Sequence, residues 1–377
     1  MKDAKGALRV VMAGGASGGH LYPALSVAEK IRRKDPGAEI LFIGAKKEMG
    51  AGIVERNGYE IRYIDVRGFD RRNLFRNVAA LKDLAASGRQ IRRIFADFEP
   101  TIAVGTGGYV CGPVIREARR AGLGTFIHEQ NVIPGMANRL AEKYADTVFV
   151  AFGECAKHFR DPRKIVVTGN PVRRAFLTAG AMRYREKIGI APGDLALLVF
   201  GGSNGADRIN EVVSDMLIDM KDENGIEVFF ITGAKMHKDV VRKLSDAGVT
   251  RNRKIHVIEY SESIHEYFAA SDLIIARSGA MTVSEIAVTG RASILIPSPN
   301  VTGNHQYFNA RTLGDRGAAI LMDEGKLTPK TLRDEVLRLK ANKAVLNRMS
   351  DAAKALGRPD ATDIIHDHIL ESVERRR

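Results

Sequence analysis

Short apolar runs of strand length recur along the whole chain. In the first half they are Leu8–Met12, Ile40–Ile43, Ile61–Val66, Thr101–Val104, Thr125–His128, Thr147–Val150 and Lys164–Val167. In the second half they are Leu195–Phe200, Val228–Thr232, Ile255–Ile258, Leu273–Ala276 and Ile294–Ile296. Each is too short for a helix and reads as a buried strand. Between them lie stretches with apolar residues at helical spacing. These are about Pro23–Arg33, a face made by Leu74, Val78 and Leu81, the residues after Gly105–Tyr109, those opened by Pro134-Gly135, a segment with Ile209 and Val213, and Ala280–Thr289. Pro23 suits the first turn of a helix, where its missing N–H costs nothing. After Leu327 the chain reads as charged helix, and a last helix at about 358–377 is expected to pack back on the first domain. Strands alternating with helices predict parallel sheets in an α/β fold.

The glycine-rich and polar turns all follow strands, which in an open parallel sheet collects them at the carboxyl edge. The opening design of strand, glycine turn and helix recurs at Leu195–Phe200, Gly201–Ala206 and Ile209. Two similar α/β domains facing each other across a central cleft follow, spanning 1–168 and 169–357, with the turn-rich Thr168–Arg173 at their join.

Composition narrows the picture. A chain of 377 residues, 45% hydrophobic and 27% charged, is a folded protein of two ordinary domains. Its net charge of +13 points to an anionic partner: nucleic acid, an acidic membrane surface or a phosphorylated substrate. Cys111 and Cys155 are too few for a disulfide scaffold and suit a reducing cytosol. The N-terminal apolar run breaks into glycine, as a first strand does and a signal peptide does not. No run approaches the ~18 apolar residues of a membrane span, so membrane contact would be peripheral. From Arg67 to Phe95 basic residues interleave with Phe69, Leu74, Phe75, Val78, Leu81 and Leu84. That pattern fits a solvated amphipathic helix and a membrane-facing one equally. No tryptophan and no aromatic stacking platform support nucleic-acid binding.

Two stretches carry candidate chemistry. Gly14-Gly15-Ala16-Ser17-Gly18-Gly19-His20 is neither a dinucleotide fingerprint nor a Walker loop. His20 closes this turn, either as a neutral imidazole that accepts a proton or as a histidine that merely caps the following helix or hydrogen-bonds a loop. In Ser271–Asn309 a strand passes through Ser278-Gly279 into the helix Ala280–Thr289, whose first N–H groups and dipole make a seat for phosphate. Glu285 lies where it could face a ligand's hydroxyls, and a polar loop after the next strand delivers Asn304, His305 and Gln306. The plainer reading is one more repeat with its turns in water. The chain has no Asp-x-Asp pair, and its nearest approach is Asp97-Phe98-Glu99, so a metal-held diphosphate is not indicated.

Gly14–His20, Gly105–Pro113, His128–Asn131, Gly169–Arg173, Gly201–Ala206, Arg277–Glu285 and Asn304–Asn309, in this order, resemble the motifs of the MurG family over nearly the full length. These are the peptidoglycan glycosyltransferases that add N-acetylglucosamine to lipid I. The resemblance implies a GT-B fold of two Rossmann-like domains with parallel sheets, the first meeting the acceptor and the membrane, the second the UDP-sugar. It implies UDP-N-acetylglucosamine as donor, undecaprenyl-diphosphate-linked muramyl pentapeptide as acceptor, and inversion at the anomeric carbon. Lipid II would form at the cytoplasmic face of the cell membrane, on an anionic surface, with no cofactor, metal or nucleic acid. Ser17, Gly18 and Gly19 match the family's first donor-contacting turn, with Ser17 where threonine is commoner and Ala16 where many members have glycine. His20 matches the proposed general base. Asn131, Arg173 and Ser203 match donor contacts, although Asn204 replaces the usual glutamine. Ser261 matches a backbone contact to uracil. Ala280, Met281, Thr282, Val283, Ser284 and Glu285 match the run that holds diphosphate and ribose, and Gln306 the residue that reads the sugar hydroxyls. The loop Ser298–Gly303 has no counterpart in the pattern. A glycolipid synthase acting on diacylglycerol would share the donor half but lose the Gly105–Pro113 and His128–Asn131 matches. A sugar-nucleotide epimerase would need carboxylates near the anomeric carbon.

Overall fold

The computed structural model describes residues 8–15, 18–45, 51–66, 74–178, 180–202, 205–249 and 252–376. The chain divides into two compact units, Met1–Arg173 with Pro359–Arg377, and Arg174–Arg358. Unit 1 holds β1 Arg9–Gly14, β2 Glu39–Ala45, β3 Glu60–Ile64, β4 Ile102–Gly107, β5 Gly124–Glu129, β6 Thr147–Val150 and β7 Ile165–Val167. Unit 2 holds β8 Leu195–Phe200, β9 Ile226–Ile231, β10 Ile255–Ile258, β11 Leu273–Ala276, β12 Ala292–Leu295 and β13 Ala319–Leu321. Among the described residues every pairing is parallel, in the orders β3-β2-β1-β4-β5-β6-β7 and β10-β9-β8-β11-β12-β13. These are doubly wound α/β sheets.

Side chains alternate across each sheet and both faces are covered, which is why the strands read as unbroken apolar runs. In unit 1 Val11, Ala13, Leu41, Ile43, Ala103 and Ile127 face one way, against Ile91, Phe95, Val114 and Ile115. Val10, Met12, Phe42, Val104, Phe126 and Phe149 face the other, against Ala24, Val27, Ile31, Ile365 and Ile369. In unit 2 Leu197, Val199, Val228, Phe230 and Ile275 pack on Ile209, Val213 and Met216.

Several boundaries depart from the periodicity. The first helix runs Gly18–Lys34 rather than starting at Pro23, so His20 lies in its first turn and Pro23 inside it. β4 continues through Gly105 and Thr106 to Gly107 because Gly105 has no Cβ; one would stand 2.4 Å from the Cys111 sulfur. The polar loop read at Asn304–Gln306 becomes helix at His305. β13 and the helices Arg174–Thr178 and Ala181–Ile188 have no strong period, and the last of these buries no residue. Thr168–Arg173 stays with unit 1: Thr168 N–H bonds Val150 O at 3.0 Å and Asn170 Nδ2 bonds Gln130 O at 3.1 Å.

Candidate active site

In each sheet the chain winds outward from one central strand and later resumes on that strand's other side. The connections leaving those two neighbouring strands therefore run to opposite sides, which makes the carboxyl edge between them the switch point where open α/β sheets bind ligands. In unit 1 they follow β1 and β4. They touch backbone to backbone, Gly15 N–H donating to Gly107 O at 3.0 Å. Gly107 has φ 106°, and a Cβ there would stand 2.7 Å from His20 Nδ1. Only glycine fits both demands.

His20 is fixed from two sides. Thr106 Oγ1 donates to its backbone carbonyl at 2.7 Å. On the ring, Nδ1 lies 3.0 Å from Thr106 O and 3.2 Å from Gln130 Oε1. A carbonyl oxygen only accepts, so Nδ1 carries the hydrogen and Nε2 keeps its lone pair. The imidazole is thus held by Nδ1, in the tautomer that leaves Nε2 to accept.

The loop beyond β5 supports this arrangement. Gln130 Nε2 reaches Thr106 O at 3.0 Å, His128 O at 3.1 Å and His128 Nδ1 at 3.1 Å. His128 is buried, and its Nε2 faces Gly169 O at 3.0 Å. Burial pulls its pKa down to about 4, against the opposing pull of the Gly169 carbonyl, so this histidine is neutral at physiological pH. Glu129 is also buried and accepts from Asn131 N–H at 2.9 Å, Asn131 Nδ2 at 3.0 Å, Gly135 N–H at 3.0 Å and Asn138 Nδ2 at 2.8 Å. The Asn131 side chain is thus aimed by a carboxylate two residues back. Cys111, behind this loop, is sealed in, and burial pushes its thiol up to about 12. Arg173 lays its guanidinium over the Tyr22 ring at 4.5 Å, and the same ring lies beside Gly18.

In unit 2 the corresponding turns follow β8 and β11. Gly205 has φ 74°, and a Cβ there would meet Thr232 O at 2.4 Å. Ser203 and Asn204 lie outside the described residues, as does Ser17. The helix Ala280–Thr289 starts without a side-chain cap or an acidic residue in its first turn, so no carboxylate of that turn opposes an anion. Its turn is tied to the one after β12. Ser278 Oγ donates to Gln306 O at 2.8 Å, and Asn309 Nδ2 to Ser278 O at 3.3 Å. Gln306 Oε1 accepts from Ser298 N–H at 2.9 Å. Glu285 is buried one turn further along this helix.

The fold thus joins Gly18, His20, Asn131 and Arg173 through shared neighbours in unit 1, and Ala280–Glu285 with Gln306 in unit 2. Ser261 follows β10, three strands from β11 in the sheet order, and no described contact links it to them. Tyr22, His128, Glu129 and Gln130 went unassigned in the sequence. For the last three the signal is the run of polar residues His128 to Asn131 at the end of a buried strand, while nothing in the sequence marks Tyr22. Among the described residues no three His, Cys, Asp or Glu side chains gather as a metal-ligand set.

Residues 10–150 match the glycosyltransferase family 28 N-terminal domain and residues 196–365 its C-terminal domain. The UDP-N-acetylglucosamine–N-acetylmuramyl-(pentapeptide) pyrophosphoryl-undecaprenol N-acetylglucosamine transferase of Acetivibrio thermocellus is 38% identical over 98% of this chain and 99% of its own length. The Bacillus subtilis enzyme of that name is 37% identical over 98% of this chain and 100% of its own. The crystal structure of Acinetobacter baumannii MurG superposes with a TM-score of 0.76 at 27% identity, covering 97% of this chain and 100% of that one. A UDP-GlcNAc 2-epimerase from Neisseria meningitidis, bound to UDP-GlcNAc, shares the fold at TM-score 0.69 and 13% identity, over 97% of this chain and 100% of that one. The chain is a glycosyltransferase of family 28, with the GT-B architecture of two parallel-sheet α/β domains. Within it, the chain belongs to the MurG family of N-acetylglucosamine transferases.

Proposed function

We propose that this chain moves N-acetylglucosamine from UDP-N-acetylglucosamine to the muramyl 4-hydroxyl of lipid I, with inversion, forming lipid II. His20 is the base. A sugar hydroxyl is too weak an acid to attack unaided, so Nε2 takes its proton as the new glycosidic bond forms and the bond to the diphosphate breaks. The observation that carries this is the Nδ1–Thr106 O bond, which leaves Nε2 as the ring's acceptor.

The departing UDP gains negative charge. The first N–H groups of Ala280, Met281 and Thr282 meet it, worth ~0.3–1 kcal/mol per charge at an exposed helix end and about 2 when partly buried. Arg173 and the turn carrying Ser203 add to this. Glu285 takes the ribose, Gln306 and Asn131 the sugar, Ser261 the uracil, and Ser17, Gly18 and Gly19 the donor's near side. Val283 and Ser284 complete the helix run. On this reading unit 2 holds the UDP, and unit 1 serves the acceptor while lending Asn131, Arg173 and the Ser17–Gly19 turn to the donor. Association is peripheral, at the cytoplasmic face. No described helix is long and apolar enough to cross a membrane, and 32 Lys and Arg against 23 Asp and Glu make unit 1 the more basic.

The test is transfer of labelled sugar from UDP-N-acetylglucosamine to a short-chain lipid I analogue, with diacylglycerol as competing acceptor and a chelator present. Labelled lipid II is expected. His20→Gln should cut kcat by roughly 10²–10⁴-fold with UDP affinity unchanged. Transfer to diacylglycerol alone would overturn the acceptor, and an undiminished kcat in His20→Gln would overturn the base.

A further inference from the structure

We propose that Gln130 is a positioning residue for His20: anchored by His128, it adds its Oε1 to Thr106 O as a second acceptor that keeps the His20 hydrogen on Nδ1 and Nε2 ready to accept. This rests on the reading of His20 as the base.

The direction of every hydrogen bond in the chain follows from carbonyl groups. Gln130 Nε2 lies within reach of two backbone carbonyls, Thr106 O and His128 O, which accept only. The amide nitrogen must therefore face them, and Oε1 must face His20 Nδ1. Oε1 also only accepts, so Nδ1 has to be protonated. A flipped amide would set Oε1 against both carbonyls. His128 blocks that flip from behind. Its Nε2 faces Gly169 O and so carries that ring's hydrogen, leaving Nδ1 to accept from Gln130 Nε2. Thr106 O is shared between His20 and Gln130, whereas Gln130 Oε1 faces His20 Nδ1.

The chemical consequence comes when Nε2 takes the acceptor's proton. The ring becomes an imidazolium whose Nδ1–H donates more strongly, and Oε1 is the second oxygen placed to receive it. The role is that of the group that orients a catalytic histidine, filled here by a neutral amide. A carboxylate would hold the imidazolium more tightly and slow its release of the proton to solvent.

The experiment uses the full chain labelled with 15N-histidine, with the His20 and His128 ring signals assigned by their loss in His20→Gln and His128→Asn. In wild type at pH 8, His20 is expected as the Nδ1–H form and His128 as the Nε2–H form. In Gln130→Met, His20 should show a mixture of both forms and kcat should fall by roughly tenfold or more, with KM for UDP-N-acetylglucosamine within about twofold. A pure Nδ1–H spectrum of His20 in Gln130→Met overturns the proposal whatever the rate. Should that variant not fold, wild type decides: Nε2–H on His20, or Nδ1–H on His128, overturns it equally. Full kcat in His20→Gln would sink the base while leaving the spectra to judge Gln130 independently.

Discussion

At the scale of single residues, the site depends on atoms that are missing as much as on those present. Gly107 is the sharpest case, because its φ of 106° disfavours any side chain and a Cβ would enter the space of His20 Nδ1 at 2.7 Å. Gly107→Ala should cost about 1–3 kcal/mol of unit 1 stability. It should also lower kcat more than tenfold as the ring is pushed off Thr106 O, an estimate at the low end for loss of a positioned base. Thermal unfolding and steady-state kinetics check the two effects, and a variant with wild-type kcat would show that the ring tolerates the push. That a glycine turn surrounds His20 is legible in the sequence, but which ring nitrogen carries the hydrogen is not. The deciding atom is a carbonyl 86 residues away, on a strand that only the sheet order brings alongside. The same holds for Gln130, whose neighbours His128 and Asn131 are visible in the motif while the direction of its amide is not.

At the scale of elements, short buried strands were legible because parallel sheets covered on both faces read as continuous apolar runs. Helix starts were less so. Pro23 looked like a first-turn residue, yet the helix begins at Gly18, and Pro23 removes only the N–H that would reach the Gly19 carbonyl. Gln306 looked like loop because His305–Gly314 has a weak apolar face, and its role depends on the bonds joining Ser278, Gln306 and Asn309. The helix Ala280–Thr289 was placed correctly, and its N-terminus permits a test that separates stability from binding. An acid in the first turn favours the helix by ~0.3–1 kcal/mol but repels a diphosphate seated there. Thr282→Glu should therefore keep or raise the melting temperature of the protein while weakening UDP binding by roughly tenfold or more. Calorimetric titration with UDP measures this, and undiminished affinity would move the diphosphate away from this helix.

At the scale of the whole molecule, the repeated opening of strand, glycine turn and helix made the two-unit plan readable, whereas the ownership of the chain's end rests on tertiary contacts. The last helix, Ala361–Arg376, belongs to unit 1 and lies against Gly18–Lys34, the helix that carries His20. Ile365 and Ile369 are fully buried there, worth about 1.5–3 kcal/mol each. Lys30, itself only 5% exposed, pairs with Asp363, and Arg376 reaches Asp146 at 2.5 Å. Burial lowers the Lys30 pKa, aided by Arg33 and Lys34 and opposed by Asp367, so losing the helix that carries Asp363 and Asp367 would leave this charge poorly compensated. A chain ending at Arg358 loses all of these contacts in unit 1 and keeps every strand of unit 2. It should melt in two steps, with the unit 1 step several degrees lower than in the full chain. Transfer to the lipid I analogue should be lost, because the helix under His20 has lost its outer support, while UDP binding should stay within about twofold if unit 2 holds the donor. Loss of UDP binding together with transfer would instead make the unit 1 contacts, Arg173 first, necessary for holding the UDP itself.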